Sequence, residues 1–290
     1  IKPGASVVFN QALESHSKTV FAATLSSSTQ PVAVAVVEES SKVLFAYNGF
    51  KTTSKNPVMP LINTNNWGYT SSINMMNVGS SSTDVTISYT PSSSANGSSC
   101  TETQTIPAGQ SKTFVTNAFQ QTGTAVTSDC IKGAKFVGSA KVTGNTGSQD
   151  LVAVVNQHKL PVNGEAYDGF DPSSATPEVV LPLLMDRNYG WFTSVNVMNV
   201  GSSSVRIHCD LTGTTVKIDV DNVQPNQMIN EEQLNKIGNR WTGSATCYAY
   251  QPGTTTIDPN AKIVGVVNQL LTGPNDTFMV YEGVNITVAQ

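Results

Sequence analysis

The chain has 290 residues, of which 39% are hydrophobic and only 12% are charged, and its formal net charge is −4. This length suits two or three domains of ordinary size. The acidic balance (pI ≈ 5.3) weighs against nucleic acid as a partner, because no basic patch is available to neutralise phosphates. No apolar run approaches the roughly 20 residues that cross a bilayer, so no membrane span is predicted. A first residue of Ile1 rather than Met predicts a processed or partial polypeptide.

Residues 1–54, taken first in chain order, carry turn and strand signals that recur later. Proline presets φ and glycine tolerates positive φ, which identifies the turn. Apolar stretches with small or β-branched side chains identify the strands. The elements are an Ile-Lys-Pro-Gly turn at 1–4, a short helical segment at 10–15, strands at 19–25 and 32–37, and a closing Tyr-Asn-Gly at 47–49.

Residues 55–172 hold the same elements, preceded by two more strands. A strand at 72–78 runs into the sequence Met-Asn-Val-Gly-Ser-Ser-Ser (76–82), and residues 85–89 alternate apolar and polar side chains, as a half-buried strand does. We label the predicted strands A to F, so this segment contains A to F and residues 1–54 contain C to F. The later elements are an Ile-Pro-Ala-Gly turn at 106–109, a helical segment at 116–121, strands at 136–142 and 151–155, and Tyr-Asp-Gly at 167–169.

Residues 173–290 repeat the whole pattern, and Met-Asn-Val-Gly-Ser-Ser-Ser recurs unchanged at 198–204. Self-similarity over so long a period is the signature of a tandem repeat. The matching elements are strands at 194–200, 205–211, 241–247 and 263–267, a turn at 223–226, a helical segment at 230–237 and a closing Tyr-Glu-Gly at 281–283.

The predicted fold is all-β, with immunoglobulin-like sandwiches in tandem. Six short strands per unit, separated by turn signals and without helical periodicity, are typical of a β-sandwich. The predicted units are 1–54, 55–172 and 173–290. The first is incomplete, because strands A and B have no counterpart in residues 1–54.

The four cysteines form two local pairs, Cys100 with Cys130 and Cys209 with Cys247. No C-x-x-C motif occurs and the three histidines are scattered, which gives a zinc site little support. An even number of cysteines in a hydroxyl-rich chain predicts disulfides and an extracellular, oxidising setting. Cys209 and Cys247 alternate inward on strands B and D, so their bridge is predicted to cross the core. Cys100 and Cys130 lie in loop-like stretches, and their bridge is predicted to tie loops.

The chain contains no recognised catalytic motif. G-x-S-x-G, H-E-x-x-H, G-x-G-x-x-G and the P-loop are all absent from the sequence. Ser139 and Ser244 stand in Gly-Ser-Ala without a histidine in the repeat register, and they are interpreted as strand residues. The acidic run at 219–222 resembles part of a calcium loop but lacks its glycine and closing Glu. The sequence therefore predicts neither an enzyme nor a bound metal or cofactor.

Five aromatic side chains cluster just ahead of strand A in both whole units. They could stack on sugars as a carbohydrate-binding face, or form an apolar seam between consecutive sandwiches or subunits. Their place at the unit junction favours the seam. The five are Trp67, Tyr69, Tyr189, Trp191 and Phe192.

Three Asn-x-Ser/Thr sequons make covalent glycans a candidate modification. They begin at Asn96, Asn275 and Asn285. Such short sequons also arise often by chance.

Several motifs together carry a resemblance. They are Ile-Pro-Ala-Gly (106–109), [Phe/Trp]-x-Gly-Ser-Ala (136–140 and 241–245), Val-Ala-Val-Val-Asn-Gln (152–157), Tyr-[Asp/Asn]-Gly-Phe (47–50 and 167–170) and Gly-Trp-x-Thr-Ser-x-x-x-x-Asn-Val-Gly-Ser (190–202). The combination is similar to tandem β-sandwich repeats in large secreted or surface proteins of filamentous, green non-sulfur-type bacteria, and covers essentially the whole chain. The resemblance implies an extracellular structural role and brings no catalytic residues. The first unit departs from it, since Glu38-Glu39 replaces Asn-Gln.

The incomplete first unit carries the functional prediction. A sandwich without strands A and B exposes apolar core and unpaired strand edges, which is unfavourable in water. The cover comes either from residues before Ile1 in the full gene product or from a neighbouring subunit that adds strands. A head-to-tail contact that does not close produces a filament. The prediction is a non-catalytic, self-associating subunit of an extracellular filament or surface layer. The alternative is an adhesin or glycan-binding region of a larger cell-surface protein.

Overall fold

The computed structural model describes residues 1–15, 22–39, 43–94, 97–120, 126–159, 161–271 and 277–286. These residues contain twenty strands, one four-residue helix, α1 (Thr116–Phe119), and two 3₁₀ turns (Gln11–Leu13 and Pro172–Ser174). The strands form five sheets of antiparallel strands. The predicted all-β sandwich fold is confirmed.

The strands fall into three groups in chain order. The N-terminal hairpin consists of β1 (Ala35–Glu39) and β2 (Leu44–Asn48). The middle sandwich consists of β3 (Val58–Thr64), β4 (Thr70–Asn77), β5 (Thr83–Pro91), β6 (Cys100–Ile106), β7 (Ser111–Phe114), β8 (Thr127–Ser128), β9 (Phe136–Asn145), β10 (Leu151–Lys159) and β11 (Asn163–Asp168). The C-terminal sandwich consists of β12 (Glu178–Asp186), β13 (Trp191–Asn199), β14 (Val205–Leu211), β15 (Lys217–Val223), β16 (Met228–Glu232), β17 (Trp241–Tyr250), β18 (Ile263–Leu271), β19 (Phe278–Glu282) and β20 (Val284–Asn285).

The two sandwiches have matching strand orders. In the middle sandwich one sheet runs β3-β9-β5-β6-β8 and the other β11-β10-β4-β7. In the C-terminal sandwich β12-β17-β14-β15 correspond to β3-β9-β5-β6, and β19-β18-β13-β16 correspond to β11-β10-β4-β7. Two short strands have no such counterpart, since β8 pairs at the β6 edge and β20 at the β12 edge. The repeated sequence motifs therefore occupy equivalent places in both sandwiches.

Sequence reasoning missed the first strand of each sandwich, β3 and β12. Each carries a proline in its interior, Pro60 or Pro182, and proline argues against a strand because it cannot donate to the ladder. The structure accommodates both prolines where the register with the neighbouring strand shifts, between Met59 and Ile62 and between Leu181 and Leu184. A β-bulge is one of the few places in a sheet where proline is tolerated.

The apolar core of the middle sandwich extends into the C-terminal sandwich. Ile73, Ile87 and Phe114 are fully buried in this cluster, which also includes Met198 and Val264 from the next sandwich. A second cluster fills the interior of the C-terminal sandwich. The two sandwiches therefore share a continuous apolar contact.

The N-terminal segment differs from the prediction of strands C to F. Among its described residues only the hairpin forms strands, so the strand at 32–37 is displaced to Ala35–Glu39 and the described part of 19–25 is not a strand. Residues 16–21 lie outside the described part. The 3₁₀ turn at Gln11–Leu13 does form, with Asn10 Oδ1 accepting a hydrogen bond from Ala12 N (3.0 Å). The missing ladder has a physical reason, since the described part of the predicted strand at 19–25 has no strand A or B on which to pair.

The helical prediction for 230–237 is also wrong. Residues Met228–Glu232 form β16, which pairs with β13 in the register Met198 to Met228. Tertiary pairing overrides local helix preference here.

Candidate interface between the sandwiches

A bulge at the start of each sandwich turns a Pro-Leu pair outward. Pro60 and Leu61 occupy the bulge in β3, and Pro182 and Leu183 occupy it in β12. The flanking Leu181 and Leu184 belong to the interior cluster of their own sandwich. The bulge residues consequently lie on the opposite face and are available to the next sandwich.

A tyrosine hydroxyl satisfies the backbone groups that each bulge leaves without a ladder partner. The Tyr167 hydroxyl donates to Leu61 O (2.6 Å) and accepts from Leu61 N (3.1 Å). Tyr281 makes the same two bonds to Leu183, at 2.6 and 3.1 Å. Burial raises the pKa of the Tyr281 hydroxyl to about 12 and that of Tyr167 further, so both stay neutral and can donate and accept at once.

The Pro-Leu face of the middle sandwich packs on the outer face of a C-terminal sheet. Alternation along β13 points Val195 and Val197 into their own sandwich and Met198 and Val200 outward. Leu61 lies in the cluster with these outward residues and is only 1% exposed. The other outward residues in the contact are Met228, Val264 and Val266. We call this contact the joint.

Polar groups surround the apolar joint. Asn163 Nδ2 donates to Thr277 Oγ1 (3.0 Å), and Gln157 Nε2 donates to Asn268 Oδ1 (3.3 Å). Ser139 Oγ donates to the backbone oxygen of Asn226. Ser139 and Ser244 lie in β9 and β17, which confirms that they are strand residues. The joint is thus an apolar contact with a hydrogen-bonded rim.

Two carboxyl groups meet at this rim. Asp168 N donates to Glu282 Oε1 (2.8 Å), which brings the acidic side chain of Glu282 beside that of Asp168. Within the described part of the chain Asp168 Oδ1 is buried without a hydrogen-bond partner. Burial, and then the Glu282 carboxylate, raise the pKa of the Asp168 carboxyl to about 7.

The N-terminal hairpin places a tyrosine in the same register as Tyr167 and Tyr281, but no described Pro-Leu strand lies at its hydroxyl. Tyr47 lies opposite Val36, as Tyr167 lies opposite Val155 and Tyr281 opposite Val267. Gly49 N donates to Val34 O (2.7 Å), and Gly169 and Gly283 make the matching bond at 2.8 Å. Among the described residues the Tyr47 hydroxyl has no hydrogen-bond partner. Val43 and Phe45 pack where Gly164 of β11 lacks a side chain.

Both predicted disulfides are present, Cys100–Cys130 and Cys209–Cys247. The second differs from the prediction in one respect. Cys209 of β14 and Cys247 of β17 face each other across neighbouring strands of one sheet, so this fully buried bridge does not join the two sheets. In the first bridge Cys130 is in a loop, as predicted, but Cys100 begins β6.

The five aromatic residues do not form one seam. Tyr69 reaches the C-terminal sandwich through Phe278, with ring centroids 5.4 Å apart. Trp67 and Tyr189 occupy the turns after β3 and β12 at positive φ (53° and 52°) and are 84% and 78% exposed. Trp191 and Phe192 are half-buried at the start of β13. The described contacts therefore place only Tyr69 in the joint.

The remaining candidate positions show no built ligand site. Asn96 and Asn275 lie outside the described residues. The Asn285 amide nitrogen donates to Ile263 O (2.8 Å), Thr176 Oγ1 (3.1 Å) and Glu178 O (3.2 Å), bonds that a glycan there would disturb. The only group in the described part with metal-ligand spacing consists of Asp129 and the bonded Cys100 and Cys130, whose sulfurs are committed to the disulfide. Asp219, in the acidic run, pairs with Arg206.

No known family profile, no curated protein and no solved structure matches this chain. The resemblance to bacterial surface repeats stays a prediction. In the described part of the chain no helix has the length and apolar character needed to cross a membrane.

Proposed function

We propose that the chain is a non-catalytic structural subunit of an extracellular filament or surface layer, assembled head to tail by strand complementation. The observation that carries this proposal is the N-terminal hairpin, which has the strand register of a sandwich while the described residues before and around it contribute no further strand. An isolated two-stranded hairpin is marginally stable in water. A neighbouring copy that supplies the missing strands would complete it.

Exposed apolar side chains before the hairpin support the same proposal. The Pro-Gly turns at 1–4 and 106–109 align Phe9 with Phe114. Phe114 is fully buried and pairs with Ile73 of β4, whereas Phe9 is 65% exposed. The difference is expected if the strand that corresponds to β4 comes from another molecule, since apolar burial is worth about 25 cal/mol per Å².

The composition and the disulfides support an extracellular setting. Two native disulfides are typical of proteins that fold under oxidising conditions. The low share of charged residues suits stacked subunits, because burying charges in repeated contacts is costly.

Electron microscopy of the native material tests the proposal. The expected result is filaments or sheets in which density for a neighbour's strand fills the incomplete sandwich. Dispersed single particles of 30.7 kDa would overturn it.

The second candidate function is binding of glycans as part of an adhesin, and the exposed Trp67 and Tyr189 favour it. A bulky side chain at positive φ is strained, and strained, exposed aromatics are often retained for binding. Titration with oligosaccharides should then quench tryptophan fluorescence in the wild type and not in Trp67→Ala. The control variant is Tyr250→Phe, which leaves both turns intact.

A further inference from the structure

The middle sandwich presents an outer sheet face that is only partly covered. Val78 corresponds to Val200 in the repeated Asn-Val-Gly-Ser motif, and these residues are 38% and 6% exposed. Met76 and Val152 are half-buried, whereas their counterparts Met198 and Val264 are fully buried. The counterparts are buried because the Pro-Leu bulge of β3 packs on them. No described residue supplies such a bulge to the face at Met76, Val78 and Val152.

The hairpin holds a tyrosine beside this face. Its strand β2 lies against β11, as β11 lies against β19 in the next sandwich. Tyr47 therefore stands relative to Met76 and Val152 as Tyr167 stands relative to Met198 and Val264. In both complete sandwiches this tyrosine binds the backbone of the Leu in a Pro-Leu bulge.

We infer that Tyr47, together with Met76, Val78 and Val152, forms a docking site for an extended strand with a Pro-Leu bulge, supplied by another molecule. The inference rests on the proposed function and defines the complementing strand. The Tyr47 hydroxyl binds the N–H and C=O of the incoming Leu, and the Pro and Leu side chains cover the apolar face. The strand that follows pairs with β1, whose outer edge has no partner among the described residues.

Sequence supports a partner of the repeat's own type. The two strands held by tyrosines in this chain read Met-Pro-Leu-Ile (59–62) and Leu-Pro-Leu-Leu (181–184), both with a proline and a leucine at the bulge. Proline leaves no N–H to satisfy at the bulge, so a single hydroxyl can satisfy the two backbone groups of the leucine that follows. A generic apolar strand lacks this match.

A peptide with the sequence of residues 56–79 tests the inference, because it contains one Pro-Leu strand and the strand that follows it. Binding of the fluorescein-labelled peptide to the intact protein is measured by fluorescence anisotropy. The expected result is saturable binding that Tyr47→Phe weakens about tenfold, since the two hydrogen bonds from the hydroxyl to the leucine backbone are lost and water replaces them only in part. Tyr250→Phe, on the outer face of the C-terminal sandwich, should bind like the wild type.

A second pair of variants tests the apolar face independently of the tyrosine. Val78→Glu should weaken the peptide at least tenfold, and Ile131→Glu, at an exposed loop position of the same sandwich, should not. A peptide carrying Leu61→Asp should fail to bind. Absence of saturable binding, or equal affinity for all variants, overturns the inference.

The outcomes for the two proposals are separable. Filaments that assemble while the peptide neither binds nor blocks assembly leave the structural function standing and remove the docking site. Saturable, Tyr47-dependent binding by a protein that forms no filament retains the docking site and removes the filament.

Discussion

At the scale of single residues, the hydroxyls of Tyr167 and Tyr281 make the Pro-Leu bulges possible. Each hydroxyl makes two hydrogen bonds to a leucine backbone in place of the missing ladder neighbour. The two distances, 2.6 and 3.1 Å, are the same in both sandwiches. The environments differ, since Tyr167 is fully buried and Tyr281 is only partly buried. An unsatisfied buried backbone group costs about 1–3 kcal/mol, whereas water can replace a partner at a partly exposed site.

Tyr167→Phe should therefore lower the free energy of unfolding by about 2–3 kcal/mol, and Tyr281→Phe by less than about 1 kcal/mol. Urea denaturation followed by circular dichroism compares the two variants. Equal losses would show that the joint does not keep water from the Leu61 bulge.

At the scale of strands, the contact between β11 and β19 of neighbouring sandwiches brings Asp168 beside Glu282. In the hairpin, burial raises the pKa of the Tyr47 hydroxyl, and the carboxylates of Glu38 and then Asp168 raise it further. The raised pKa of Asp168 means that its protonated form fits the folded joint better. Its contribution to stability is fully present below its ordinary pKa of 3.8 and is lost as the pH rises through about 7.

Stability should consequently fall between about pH 4 and pH 7 in the wild type and level off above that, and Asp168→Asn should remove much of that fall. At pH 8 the free energy of unfolding of Asp168→Asn should exceed that of the wild type by on the order of 1 kcal/mol, because partial exposure of the carboxyl screens its interactions. Thermal unfolding measured across this pH range gives the answer. A variant with the wild-type pH dependence would place the effect elsewhere, for example at Glu38, whose pKa burial also raises.

The strands with a local sequence pattern could be predicted, and those that depend on distant contacts could not. Alternation located β5 and β14, and the repeated Val-Val-Asn-Gln motif located β10 and β18. β3 and β12 could not be predicted, because Pro60 and Pro182 indicate a strand end when only local sequence is considered. The bulges that accommodate these prolines depend on a tyrosine about 100 residues later in the chain. The joint could not be predicted either. Met198 and Val264 are apolar residues at outward positions of their strands, and the sequence alone does not show that another sandwich covers them.

At the scale of the whole molecule, the two sandwiches share one apolar cluster and should unfold together. Leu61 lies in that cluster and its counterpart Leu183 is 39% exposed, so the chain supplies its own matched control. Leu61→Asp buries an unpaired charge in the joint, while Leu183→Asp places one at a more accessible site.

Differential scanning calorimetry should show one transition for the wild type and for Leu183→Asp, and two for Leu61→Asp. A single transition in Leu61→Asp, shifted to lower temperature, would mean that the polar rim alone couples the sandwiches.

The Cys209–Cys247 bridge has a mechanical consequence. Because it ties neighbouring strands whose cysteines are 38 residues apart in sequence, a pulling force on the chain ends cannot extend the segment between them. The bridge therefore keeps about 130 Å of contour length from extending, at roughly 3.4 Å per extended residue. A thread built from such subunits would stretch less under load, and single-molecule force spectroscopy should release the extra length only after reduction.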